Sequence, residues 1–134
     1  MAYKIIDIQG VGEVYSEKLR AAGIDTPEAL LEKAATRRAR QMLAARTGIP
    51  GALILTWANH ADLFRIRGIG PQYACLLEAA GVDTIKELAH RLPENLAPKL
   101  TAAAAKKGLK RPISELTAEK WIEEAKTLPP VMKY

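Results

Sequence analysis

Apolar and small residues along this chain fall into helix-length runs, and glycine, threonine and proline punctuate them. Gly12 opens a run that reaches Gly23, a natural left-handed cap for a helix C-terminus. Thr26-Pro27 starts a second helix, with the proline tolerated in the first turn. Thr36 starts a third, "TRRARQMLAAR", closed by Gly48, and Pro50 begins a fourth, "PGALILTWANHADLF". The plan then recurs. Pro71 stands at the start of a fifth helix. Thr84 and Glu87 are spaced as a capping box for a sixth. Pro93 or Pro98 occupies the first turn of a seventh, which ends at Gly108, and the last runs from Thr117 to Thr127. The prolines of the tail "LPPVMKY" keep it extended, so that it packs along the body or frays. The expected class is all-α.

The recurrence is written in the residues. When Ile8 is aligned with Ile66, Gly10 meets Gly68, Gly12 meets Gly70 and Tyr15 meets Tyr73 without a gap. Ala21-Ala22-Gly23 meets Ala79-Ala80-Gly81, and Asp25-Thr26 meets Asp83-Thr84. Trp57 and Trp121 fall in similar late positions once a few residues are inserted. This predicts a duplicated four-helix unit, residues 1–64 and 65–134, the second carrying the extended tail. Units of about sixty residues are marginal alone, so the two are expected to share one core around a pseudo-twofold axis. The segment "PQYACLLEAA" carries one charge and its counterpart "EVYSEKLRAA" four, so the second copy should be the more buried.

Composition adds limits. Of 134 residues, 49% are hydrophobic and only 5% aromatic, which fits a helical globular protein. The net charge of +5 permits a polyanionic partner without demanding one. The single cysteine, Cys75, rules out an intramolecular disulfide, and its leucine neighbours place it in the apolar interior. No segment reads as a signal peptide or approaches the length of a membrane span, so a soluble, cytoplasmic protein is expected.

The Gly-apolar-Gly turns carry the chemistry. A dinucleotide fold would need a preceding strand and a third glycine, and that position holds Tyr15 or Tyr73. A tight turn between helices fits better. The glycines permit positive φ and close backbone approach, while Val11 or Ile69 points inward. The following helix begins with unpaired N–H groups that favour an anion such as phosphate.

The stretch "LFRIRGIGPQYACLLEAAG" resembles the helix-hairpin-helix (HhH) motif of non-sequence-specific DNA-binding proteins, through Ile66, Gly68, Ile69, Gly70 and Pro71. In the first copy Ile8, Gly10, Val11 and Gly12 match. From Tyr3 to Tyr134 the chain resembles a bacterial family of tandem HhH proteins catalogued as a domain of unknown function. The resemblance implies two helical repeats packed in the SAM-like HhH manner. It also implies phosphate binding by the N–H groups of Gly68 and Gly70, with Arg65 and Arg67 as supporting cations. The motif often carries a basic residue just after the second glycine. Here Pro71 and Gln72 follow in one copy, Glu13 and Val14 in the other. Glu13 would repel a phosphate at the helix start, so the turn of Gly10, Val11 and Gly12 is expected to be structural.

Two further stretches are basic without an acid: Arg37, Arg38, Arg40 and Arg46, then Lys99, Lys106, Lys107, Lys110 and Arg111. On a helical wheel Arg37 and Arg40 oppose Ala39, Met42 and Leu43, with Arg38 flanking that stripe. Such a face is either merely solvated or touches phosphates, and in the second case binding is salt-dependent and blind to base sequence. No catalytic constellation is visible. His60 and His90 stand apart, and neither has a partner at metal-ligand spacing. The paired tryptophans read as core anchors. The expectation is therefore a non-enzymatic DNA-binding module without cofactor, metal, membrane or small-molecule substrate. The alternative is a protein-interaction or scaffold module in which the turns only shape the fold.

Overall fold

The structure is a computed structural model, and it describes residues 3–109 and 111–134. Among these residues the chain forms one turn of 3-10 helix (Ile5–Asp7) and eight α-helices, with no strand. The helices are α1 (Gly12–Ala21), α2 (Pro27–Lys33), α3 (Arg37–Thr47), α4 (Gly51–Leu63), α5 (Pro71–Ala79), α6 (Ile85–Ala89), α7 (Pro93–Lys106) and α8 (Glu115–Thr127). Two compact units result. One contains the residues up to Asp62 together with Pro130–Tyr134, and the other is Leu63–Pro129.

In the first unit the helix starts are set by hydroxyl caps. Thr26 accepts a hydrogen bond from the Ala29 N–H and Thr36 from the Ala39 N–H, each at 3.1 Å. Ile5, Ile8, Val11, Leu19, Ile24, Leu30 and Trp57 are nearly inaccessible and form its interior. Tyr15 lies against Trp57, with ring centroids 5.3 Å apart and planes tilted by 58°. Gly10, at φ 91°, turns the backbone directly over Trp57. The tail, expected to pack along the body or fray, packs here. The Lys133 N–H donates to the Ala35 carbonyl at 2.7 Å, the Tyr134 hydroxyl donates to Asn59 Oδ1 at 2.7 Å, and Met132 is buried. Pro129 and Pro130 favour the extended approach.

In the second unit α8 packs on α6 and α7, and α7 also packs on α5. Leu63, Ile66, Leu76, Leu77, Leu88, Leu100 and Trp121 belong to its core. Thr84 caps α6 by accepting from the Glu87 N–H at 3.1 Å, but the Glu87 carboxylate reaches the Asp83 N–H at 3.3 Å rather than that of Thr84. Of the two candidate prolines, Pro93 opens α7 and Pro98 lies within it. Helix α8 begins before the expected Thr117 because the Ser114 hydroxyl accepts from the Thr117 N–H at 3.1 Å. Tyr73 lies against Trp121, with centroids 5.1 Å apart and planes tilted by 58°. Gly68, at φ 86°, passes over Trp121.

A basic side chain also closes a helix end in each unit. Lys33 Nζ donates to the Ala22 carbonyl at 3.3 Å and Arg91 Nη2 to that of Gly81 at 3.0 Å. Both satisfy carbonyls near the end of the preceding helix, where a cation is favoured.

Candidate nucleic-acid interface

The turn before α5 is built from the inside outward. The Ile66 N–H donates to the Leu63 carbonyl and the Ile69 N–H to that of Ile66, each at 3.1 Å, so the turn folds on itself. Ile66 and Ile69 are buried, at 1% and 3% exposure, and anchor it. Gly68 alone adopts the left-handed region. Gly70 has φ −110° and ψ −165°, an extended conformation open to any residue. The expectation that both glycines serve positive φ therefore holds only for the turn before α1, where Gly12 also has φ 67°.

The inner residues pin the turn and leave its polar edge outward. Among the described residues the N–H groups of Gly68 and Gly70 donate no hydrogen bond. The first turn of α5 contains no acid, whereas α1 carries the exposed Glu13 in its first turn. The side chain of Arg67 is exposed. Its backbone N–H, however, donates to the Glu124 carboxylate at 3.2 Å. Arg65 Nη2 donates to the Pro129 carbonyl at 2.7 Å. One of the two expected cations is thus tethered and the other projects. Arg111 is exposed and lines a cavity of about 180 Å³ with Gln72, Tyr73 and Leu76, which places it beside the start of α5.

The basic segments divide in a similar way. Arg37 and Arg38 are exposed at the start of α3, and Arg37 edges a cleft of about 520 Å³ that Gln41, Leu55 and Tyr134 also line. Arg40 does not belong to that solvated face. It is 6% exposed, while Met42, assigned to the apolar stripe, is 64% exposed. The buried face of α3 runs through Arg40 and Leu43 because the guanidinium has acceptors there. Nη1 donates to the Ala34 carbonyl and Nη2 to the Lys133 carbonyl, each at 2.9 Å. The guanidinium carbon lies 5.8 Å from the Tyr134 ring centroid. Burial pushes the Arg40 pKa down, Tyr134 opposes the shift, and Arg37 adds to it.

Lys106 is exposed in the last turn of α7. Lys107 is exposed as well, but its Nζ lies 2.9 Å from Cys75 Sγ. Cys75 is half-buried and has this polar contact, rather than being sunk in the apolar interior. Its neighbours Ala74 and Leu76 turn inward, and it faces the end of α7. Lys110 lies outside the described residues.

The remaining candidates have places within the helical units. Val11 is 2% exposed beneath the first glycine turn. His60 is buried at 3%. His90 Nδ1 is 2.7 Å from the Lys86 carbonyl at the end of α6. Trp57 and Trp121 are buried, at 1% and 4%. Among the described residues no group of three His, Cys, Asp or Glu side chains converges to hold a metal ion, and no helix is long and apolar enough to cross a membrane.

A family profile described as "Domain of unknown function (DUF4332)" matches residues 9–128. The chain belongs to the DUF4332 family. That match covers both glycine turns and all eight helices but stops short of the tail that Arg40 grips. No curated protein and no solved structure matches the chain.

Glu124 carries no signal in the sequence beyond standing next to Glu123 and three residues after Trp121. Glu123 faces solvent and pairs with Lys126 at 3.2 Å. Glu124 lies three residues beyond the buried Trp121, on the same side of the helix, and that spacing is the signal that takes it to the glycine turn.

Proposed function

We propose that this DUF4332 protein is a non-enzymatic nucleic-acid-binding module of two HhH-like repeats, and that the turn before α5 holds a backbone phosphate without reading base sequence. The observation that carries this reading is the outward polar edge of that turn. The Gly68 and Gly70 N–H groups are unengaged, and they precede a nine-residue helix with no acid in its first turn. Such donors and the helix dipole favour an anion. Arg67 and Arg111 supply exposed charge beside it, Lys106 adds exposed charge in the same unit, and Arg37 and Arg38 form an exposed basic pair on the first unit. Arg40 and Lys107 are left out of this footprint because their cationic ends have internal partners. The repeat reading draws support from the matched tyrosine–tryptophan pairs and from glycines at positive φ over each tryptophan.

The turn before α1 favours a second reading, contact with a protein. It presents Glu13 beside Val14, which is 67% exposed, a combination suited to a protein surface and unsuited to phosphate.

Fluorescence anisotropy with labelled duplex and single-stranded DNA tests the phosphate reading. Wild type is expected to bind with strong salt dependence and little sequence preference, and Arg67→Glu to bind about tenfold more weakly at low salt. Absence of binding at low salt would overturn it and leave the protein-contact reading in place.

A further inference from the structure

We propose that Glu124 is a built-in counter-anion that sits on the second glycine turn and competes with the phosphate expected there. The inference rests on the phosphate reading and names the residue that sets its strength. Two contacts place the carboxylate. Trp121, one turn earlier on α8, packs under the turn, its Nε1 3.4 Å from where a Cβ on Gly68 would sit. Glu124 Oε1 accepts the Arg67 N–H at 3.2 Å.

The turn therefore already engages an anionic oxygen, supplied by the chain itself. A phosphate arriving at the neighbouring Gly68 and Gly70 N–H groups meets a like charge bound to the same short stretch of backbone. Like charges at such separations repel even through water. The repulsion is screened by salt, so it falls most heavily on binding at low ionic strength. Glu124 therefore lowers affinity for the sugar-phosphate backbone. It does so without altering the donors, which belong to the main chain. Glu123 provides the internal comparison. It is the adjacent acid on the same helix, but it faces solvent and pairs with Lys126.

The test is DNA binding by anisotropy at low and moderate salt, with wild type, Glu124→Gln, Glu123→Gln and Arg67→Glu. Glutamine keeps an oxygen acceptor for the Arg67 N–H and removes only the charge, so the turn retains its shape. Circular dichroism and thermal melts confirm the fold of each variant. The expected result is that Glu124→Gln binds about three- to tenfold more tightly than wild type at low salt, with the gain shrinking at moderate salt. Glu123→Gln, which changes net charge equally, should gain less than about twofold. If Arg67→Glu loses binding while Glu124→Gln matches wild type, the phosphate reading stands and the role of Glu124 is overturned. Equal gains from Glu124→Gln and Glu123→Gln would also overturn it, because net charge alone would then account for the effect. If no variant binds at all, the phosphate reading fails and takes this inference with it.

Discussion

Gly68 crosses Trp121 so closely that a Cβ at position 68 would lie 3.4 Å from the indole nitrogen. The tryptophan needs the glycine turn as a lid, and the turn needs the tryptophan as a floor. Gly68 is also at φ 86°, where an L-residue with a Cβ is strained. Gly68→Ala should therefore cost about 1–2 kcal/mol, nearly all of it backbone strain, since 3.4 Å is still ordinary contact distance. Urea unfolding would show this as a lowered midpoint with an unchanged m-value.

Trp121→Ala removes the floor instead of the lid. The side chain is 4% exposed and packs against the tilted ring of Tyr73. Its loss should cost roughly 3–5 kcal/mol, a large fraction of the stability of an ordinary domain. A melt followed by far-ultraviolet circular dichroism would test this, with Gly68→Ala falling between the variant and wild type.

Arg40 predicts the opposite of what a basic helix face suggests. Its two hydrogen bonds, to the Ala34 and Lys133 carbonyls, tie α2, α3 and the tail together. Arg40→Ala should lower stability by about 2 kcal/mol, the usual scale for hydrogen bonds to a charged group. It should also raise amide exchange at Lys133, whose N–H is bonded to Ala35. The salt dependence of any DNA binding should stay as in wild type. A reduced salt slope in Arg40→Ala would return this residue to the contact surface.

Most helix boundaries were legible because threonine, proline and glycine mark them locally, and local capping chemistry does not depend on the rest of the fold. Thr26, Thr36 and Thr84 all cap their helices, although Glu87 closes its half of the expected box on Asp83 instead of Thr84. What escaped depends on partners distant in sequence. Arg40 is housed by the Lys133 carbonyl, Cys75 meets Lys107, and Glu124 meets the turn at Arg67. A helical wheel assigns arginine to solvent by default. It cannot see that a guanidinium with two carbonyl acceptors and an aromatic ring is adequately housed inside. The glycine turns were legible as turns, but the extended conformation of Gly70 was not, because glycine permits conformations that it need not use.

Lys107 gives a pH prediction with a definite sign. Its hydrogen bond to Cys75, and then the charge of that sulfur, raise its pKa above the usual lysine value of 10.5. A group whose folded pKa is raised contributes stability that is fully present below the unfolded value and lost as pH rises through the folded one. The stability difference between wild type and Lys107→Met should therefore be constant across neutral pH and shrink only above about pH 10.5. Because Lys107 is exposed, the difference should be small throughout. Denaturant midpoints at several pH values would test the sign, and a difference that grew above about pH 10.5 would contradict it.

Arg37 and Arg38 decide how far the basic footprint reaches. Both are exposed on α3, in the first unit, whereas Arg67 and Arg111 lie in the second. If α3 touches the sugar-phosphate backbone, replacing Arg37 and Arg38 with glutamine should weaken binding to all sequences alike. It should also reduce the slope of log affinity against log salt by about one for each phosphate no longer neutralised. Arg67→Gln should reduce the slope by about one on its own. An unchanged slope in the Arg37→Gln/Arg38→Gln variant would confine the interface to the second glycine turn, and the charge on α3 would then serve only hydration.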